Sequence, residues 1–319
     1  MHDLNGDAAA PVVASADPVR FDGRVAIVTG AGTGLGREYA LMLAARGAKV
    51  VINDTGRSMD GVHGEAGAAA GAVVEAILAA GGQAIACEES VADPAGVQRM
   101  IDLALTRWNR LDILVNNAGI LRTAPLADMA LADVEAMIAV HLMGTLYCTR
   151  AALPAMRKQG YGRIVLTTSG VGMRGLPQFS IYAAAKSAMI GLMESVRLET
   201  EGQGVTINAI APSAITRMSS HVIPPDIAVH MKSSLVAPMV AWLASERCTD
   251  SGAIINAGGG NFRRLAIYQG RGVQFDPVEP VSPEMIATNW AAIADMSDAR
   301  PFAGTLPGLA PNLRKLGRL

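Results

Sequence analysis

Val25-Ala26-Ile27-Val28-Thr29-Gly30-Ala31-Gly32-Thr33-Gly34-Leu35-Gly36 is a short apolar strand running straight into a glycine-rich turn, and the pattern from Arg37 to Arg46 that follows is helical. Glycines at 30, 34 and 36 permit a tight strand-to-helix turn whose backbone N–H groups and helix dipole can hold a pyrophosphate. A plain glycine turn fits the same residues. A second apolar run, Ala48 to Asn53, ends in Asp54, about twenty residues beyond the glycines, where a carboxylate accepts hydrogen bonds from an adenosine ribose and repels a ribose 2′-phosphate. That favours NAD over NADP, with Arg57 nearby in sequence as the opposing feature. Asp54 equally fits the start of a turn.

Outward from this unit, strand and helix alternate. Strands are predicted near 25–29, 48–53, 83–87, 111–116, 162–168, 205–210 and 252–256, with helices near 34–46, 66–80, 94–108, 131–158 and 181–201. Continuously apolar strands between helices indicate a parallel sheet covered on both faces, so the fold class is α/β, a Rossmann-type doubly wound sheet with a C-terminal extension. Ligands in such sheets sit outside the carboxyl ends of the strands. The Gly30 turn, Asp54, Asn116, Ser169 and Pro212 all fall at such ends and therefore point to one shared site.

Ser169 closes the strand-like run Arg163-Ile164-Val165-Leu166-Thr167-Thr168, and Tyr182 and Lys186 follow on a helical stretch, four residues apart and so on one face. A phenol is a poor base at neutral pH, but a neighbouring ammonium stabilises its phenolate, giving a usable general acid/base with a serine hydroxyl to share the substrate oxygen. A lone Tyr-x-x-x-Lys pair also fits an ordinary helix.

Taken together, Thr29 to Gly36, Asn116-Asn117-Ala118-Gly119, Ser169 and Tyr182 with Lys186 resemble the short-chain dehydrogenase/reductase family in order and spacing. The resemblance implies that Tyr182 exchanges the proton with the substrate, Ser169 orients the substrate oxygen, and Lys186 holds the nicotinamide ribose while lowering the tyrosine pKa. It implies a cofactor site built from Gly30, Thr33, Gly34, Leu35, Gly36, Asp54, Ser90, Val91, Asn117, Ala118, Gly119, Tyr182, Lys186, Pro212 and Ile215. Phe21-Asp22-Gly23-Arg24, Asn53-Asp54-Thr55-Gly56, His141-Leu142-Met143-Gly144 and Val236-Ala237-Pro238, among other stretches, are similar to the (3R)-hydroxyacyl-CoA dehydrogenase subgroup found in peroxisomal multifunctional enzyme type 2. That likeness spans roughly residues 19–302. It implies oxidation of a (3R)-hydroxyacyl-CoA or a hydroxysteroid with NAD, and a homodimer. His141 stands where the wider family has asparagine, as in that subgroup. It is a candidate fourth catalytic residue, and a packing histidine bound to a backbone carbonyl fits equally. Ser90 replaces the family's common aspartate, with Val91 retained. Ser213 follows Pro212 in place of the usual glycine.

Three segments are expected: a flexible tail over 1–18, the catalytic domain over 19–260 and an extension over 261–319 at the dimer interface. Ser282-Pro283-Glu284 starts a helix predicted to run to about Met296. With 319 residues, half of them apolar, the chain can bury a large core. A net charge of −1 argues against nucleic acid as a partner. Cys87, Cys148 and Cys248 lack metal-ligand spacing, so no metal is expected, and they read as buried thiols of a reducing compartment. No unbroken run of some eighteen apolar residues and no secretory leader is apparent, and the expected location is the cytoplasm. Residues 173–179 and 217–238 are apolar stretches expected to border the substrate, and Arg174, Arg217, Lys232, Arg263 and Arg264 are candidate cations for an acyl-CoA phosphate. An aromatic or terpenoid alcohol is the rival substrate. A catalytically silent NAD-binding sensor or scaffold is the rival class.

Overall fold

Branched and small apolar side chains line Val25–Thr29 (β1), Lys49–Asn53 (β2), Gln83–Cys87 (β3), Ile113–Asn116 (β4), Gly162–Thr167 (β5), Val205–Pro212 (β6) and Ile254–Gly258 (β7). The computed structural model describes residues 17–56, 68–214 and 230–304, and joins these strands in the order β3-β2-β1-β4-β5-β6-β7. All six pairings among these seven strands are parallel. β1, β4 and β5 are buried along their whole length, because helices cover both faces, and an alternating polar pattern has no place there. Chain order reverses between β1 and β4, which opens the crevice at the carboxyl ends where such sheets bind ligands.

The helices of this sheet are Gly34–Ala45 (α1), Ala68–Ala79 (α2), Pro94–Trp108 (α3), Leu131–Ile138 (α4), Gly144–Gln159 (α5), Gly170–Met173 (α6), Ser180–Glu199 (α7) and Ala237–Leu243 (α8). Tyr39 and Leu43 of α1, Val73 and Ile77 of α2, and Val240 and Leu243 of α8 share one core with Ala26, Val28, Ile52 and Val115 of the sheet. The intervening strand residues Ile27, Val51 and Leu114 are equally buried and point the other way. On that side α3 packs with α5, and α4 with α7.

The structure departs from the sequence expectations at definite places. The helix expected over 131–158 is broken by a single π turn, Ala139–Met143, that carries His141. Leu131–Gln159 as a whole, with mean hydropathy 1.3 over its most apolar stretch, is long and apolar enough by composition to cross a membrane, although no unbroken apolar run is present. It packs against α3, β4, β5 and α7 as a helix of the core does. After β7 the chain turns at Gly259 and Gly260, both at positive φ (58° and 77°), into an edge strand, Asn261–Leu265 (β8), that was not anticipated. β8 carries Arg263 and Arg264 on its exposed surface.

The chain divides into two units, Met1–Arg263 and Arg264–Leu319. The second contains a two-strand pair, Tyr268–Gln269 (β9) with Arg300–Pro301 (β10), and the helices Pro283–Thr288 (α9) and Trp290–Ile293 (α10). The single helix expected there to Met296 breaks at Asn289, whose side-chain amide donates to the Met285 carbonyl at 2.8 Å and competes with the backbone ladder. None of the second unit's described residues is buried.

Candidate active site

Thr29 and Asn117 lock the first turn in place. The Thr29 hydroxyl accepts from the N–H groups of Asn117 and Ala118, both at 3.0 Å, while the Asn117 amide donates to the carbonyls of Thr29 at 2.9 Å and Gly30 at 3.1 Å. The loops after β1 and β4 are thereby latched together. Gly30 and Gly34 have φ of 63° and 55°, and a Cβ on Gly36 would run into the Gly30 carbonyl oxygen and the Asn117 amide. At the end of β2 the two Asp54 oxygens accept from Gly32 N–H at 2.9 Å and Gly56 N–H at 2.8 Å, which fixes the carboxylate against the glycine turn. The Asn53 amide donates to the carbonyls of Cys87 and Glu89, holding the end of β3 where Ser90 and Val91 follow.

Ser169 caps α6, its hydroxyl accepting from Val171 N–H at 3.1 Å, and it lines the same cavity as Tyr182. α7 presents Tyr182 and Lys186 one turn apart. The Lys186 ammonium donates to the Thr167 carbonyl at 2.7 Å and lies 5.8 Å from the centre of the Tyr182 ring. Thr168 donates back to the Lys186 carbonyl at 2.7 Å. Burial pushes Lys186 down to about 7. Burial also raises the phenol of Tyr182, with Ser169 acting in the opposite direction.

His141 is buried, with Nε2 at 2.6 Å from the Ile120 carbonyl and the ring set edge-on to Tyr182, centroids 5.3 Å apart. A Cβ on Gly119 would meet the imidazole Cε1. Burial first, then the Lys186 charge, pushes the imidazole down to about 3, so the ring is neutral at physiological pH. The carbonyl partner assigns the proton to Nε2, which leaves Nδ1 as a buried acceptor with no partner among the described residues. Of the two readings of this residue, the backbone-bound histidine describes its contacts.

A cavity of about 1340 Å³ collects Gly30, Thr33, Gly34, Leu35, Gly36, Asp54, Ser90, Val91, Asn117, Ala118, Gly119, His141, Ser169, Tyr182, Lys186 and Pro212. Ile215, together with Arg57, Arg217 and His221, lies outside the described residues. Thr29, Asn53, Thr167 and Thr168 were not singled out from sequence. Their signal is a polar residue ending an apolar strand. Thr167 Oγ1 is a second buried polar atom without a partner. A glycine cradle closed to any Cβ, a fixed carboxylate and two unpartnered buried acceptors fit a nicotinamide dinucleotide. Beyond it the cavity wall turns apolar, with Ile120, Leu121, Val140, Val171, Leu176, Phe179 and Met231.

This sheet order with a hydroxyl, a phenol and an amine at the strand ends defines a nucleotide-dependent oxidoreductase. A family model described as short chain dehydrogenase matches residues 24–225, and the chain belongs to that family, whose members act on CH–OH groups. It is 43% identical over 307 residues to peroxisomal multifunctional enzyme type 2 of Drosophila melanogaster, covering 94% of this chain and 51% of the relative. The full-length structure of that enzyme superposes with a TM-score of 0.78 at 37% identity, over 93% of this chain and 50% of the other. This chain therefore spans about half the length of that relative. A short-chain type dehydrogenase/reductase of Mycobacterium tuberculosis is 41% identical, covering 87% of this chain and 96% of the relative. A structure of 7α-hydroxysteroid dehydrogenase, complexed with NADH and 7-oxo glycochenodeoxycholic acid, matches with a TM-score of 0.67 at 30% identity, over 76% of this chain and 95% of the other.

Proposed function

We propose that the protein is an NAD-dependent dehydrogenase that oxidises the secondary hydroxyl of a (3R)-hydroxyacyl-CoA, or of a hydroxysteroid of similar bulk, to the ketone. The observation that carries this is the convergence of Ser169, Tyr182 and Lys186 on one cavity, which also collects the glycine turn and an apolar wall. Likeness to the multifunctional enzymes supports the acyl substrate, and likeness to the hydroxysteroid dehydrogenase supports the sterol.

Gly30, Thr33 to Gly36, Asp54, Ser90, Val91, Asn117 to Gly119 and Pro212 would hold the dinucleotide. The negative Asp54 excludes a 2′-phosphate, which selects NAD. When bound, NAD supplies the hydride acceptor. Tyr182 takes the hydroxyl proton, Ser169 donates to the substrate oxygen as it becomes a carbonyl, and Lys186 shares the proton lost from the pair. His141, neutral and tied to Ile120, sets the orientation of the Tyr182 ring and offers Nδ1 to a water.

The second unit, with no buried residue among those described and with Tyr268, Trp290 and Phe302 exposed, supports a homodimer in which a second copy covers it. Three buried free cysteines fit a reducing compartment such as the cytoplasm, while several relatives carry the word peroxisomal in their names. A fluorescent fusion in the source cell decides between them.

The test follows NADH formation with hydroxyacyl-CoAs, hydroxysteroids and aryl alcohols. Tyr182→Phe is expected to lower kcat by at least about 100-fold, the scale of general-base catalysis. Equal activity in the variant sinks the mechanism, and NAD binding without oxidation of any alcohol makes the protein a binder.

A further inference from the structure

The apolar end of the cavity is bordered by residues 174–179, which follow α6. The backbone of this loop is held tightly: Gln178 sits at a φ of 69°, a left-handed conformation that a non-glycine residue keeps only when its surroundings impose it, and its carbonyl accepts from Ala124 N–H at 3.2 Å. Phe179 at the end of the loop packs edge-on against Tyr182, centroids 6.2 Å apart. Arg174 at its start lies five residues beyond Ser169, its backbone N–H donating to the Gly170 carbonyl at 2.9 Å.

The cations on the cavity wall are Arg122, Arg174 and Lys186. Arg122 is paired with Asp133, and Lys186 is committed to the Thr167 carbonyl. Arg174 is exposed, and its guanidinium has neither ion pair nor hydrogen bond to a described residue. Lys232 and Arg263, other candidate cations of the same unit, do not line the cavity. The carboxylates of the wall, Asp54, Glu88 and Glu89, belong to the β2 and β3 ends, away from the 174–179 loop in the chain. An uncommitted guanidinium beside an apolar wall suits a ligand with an apolar body and an anionic end, since its planar fork grips a phosphate or carboxylate with two parallel bonds.

We propose that Arg174 is the specificity-determining residue of this site, gripping a phosphate of the CoA portion of the substrate while the acyl chain lies along Val171, Leu176 and Phe179. The assignment rests on the acyl-CoA reading given above. It ranks one arginine above the other cations of the chain and makes the site selective for an anionic thioester over a neutral one.

The experiment compares (3R)-3-hydroxydecanoyl-CoA with its N-acetylcysteamine thioester, which keeps the reacting carbons and lacks the phosphates. Loss of a charged hydrogen bond corresponds to about 10- to 100-fold in affinity. In Arg174→Gln the ratio of kcat/KM for the CoA thioester over the truncated one is expected to fall by about that factor, with Arg174→Lys intermediate because it keeps the charge without the fork. A ratio within twofold of the natural enzyme overturns the proposal, even if both activities drop, because that pattern marks a loop residue with only a structural role. Calorimetric binding of the CoA thioester in the presence of NAD gives a readout independent of turnover, and equal affinity of the natural chain and Arg174→Gln overturns it as well. If the natural chain binds the CoA thioester more tightly than Arg174→Gln by the expected factor yet does not oxidise it, the acyl-CoA dehydrogenase reading fails and the Arg174 assignment stands.

Discussion

Tyr182 and Lys186 titrate as one unit. Losing one proton from the pair can leave a neutral amine beside a phenol or an ammonium beside a phenolate, and these two states have the same composition, so the first apparent pKa belongs to the pair. Burial pushes Lys186 down to about 7 while it raises the phenol, so the amine is the group of the pair that gives up its proton near neutral pH. Deprotonation switches the base on, so kcat/KM for alcohol oxidation is expected to rise with pH through about 7. In Lys186→Met the phenol stands alone, and the inflection is expected to move above 10, its unperturbed value. A pH profile with an unmoved inflection rules the coupling out. Ser169, Tyr182 and Lys186 were legible in the sequence because their side chains carry the chemistry at fixed spacing. Thr29, Thr167 and Thr168 were not, since they act on backbone groups brought near only by the sheet.

The strand–turn–helix unit of β1 and α1 is the most constrained element. Gly36→Ala places a methyl group against the Gly30 carbonyl and the Asn117 amide, and the latch between two loops must yield. Overpacking of this kind costs about 1–3 kcal/mol. A lower melting temperature together with weaker NAD binding by fluorescence titration is expected, and an unchanged melting curve contradicts the close packing. The strands were readable because burial on both faces leaves no polar alternation to confuse them. The π turn at His141 was not, because one extra residue leaves the apolar spacing of the flanking helices looking continuous. Nor was the break at Asn289, where the side-chain amide joins its own backbone N–H on the Met285 carbonyl.

At the scale of the molecule, among the described residues the first unit holds every buried one and the second holds none. The extension exposes Tyr268, Trp290 and Phe302, which the proposed homodimer would cover. Light scattering is expected to report a dimer, and Trp290→Glu to shift it toward monomer; a monomer in both removes the dimer reading. The doubly wound order was legible from alternation alone, whereas β8 was not, because its exposed polar residues read as the start of a tail. That last strand also has a bearing on how the chain survives its own synthesis. A sheet of apolar strands is most hazardous at its margins, where unpaired backbone groups recruit any extended segment nearby. By turning at Gly259 and Gly260 and laying Arg263 and Arg264 along the rim, the chain obliges an incoming strand to strip water from two guanidinium groups, so the rim resists aggregation.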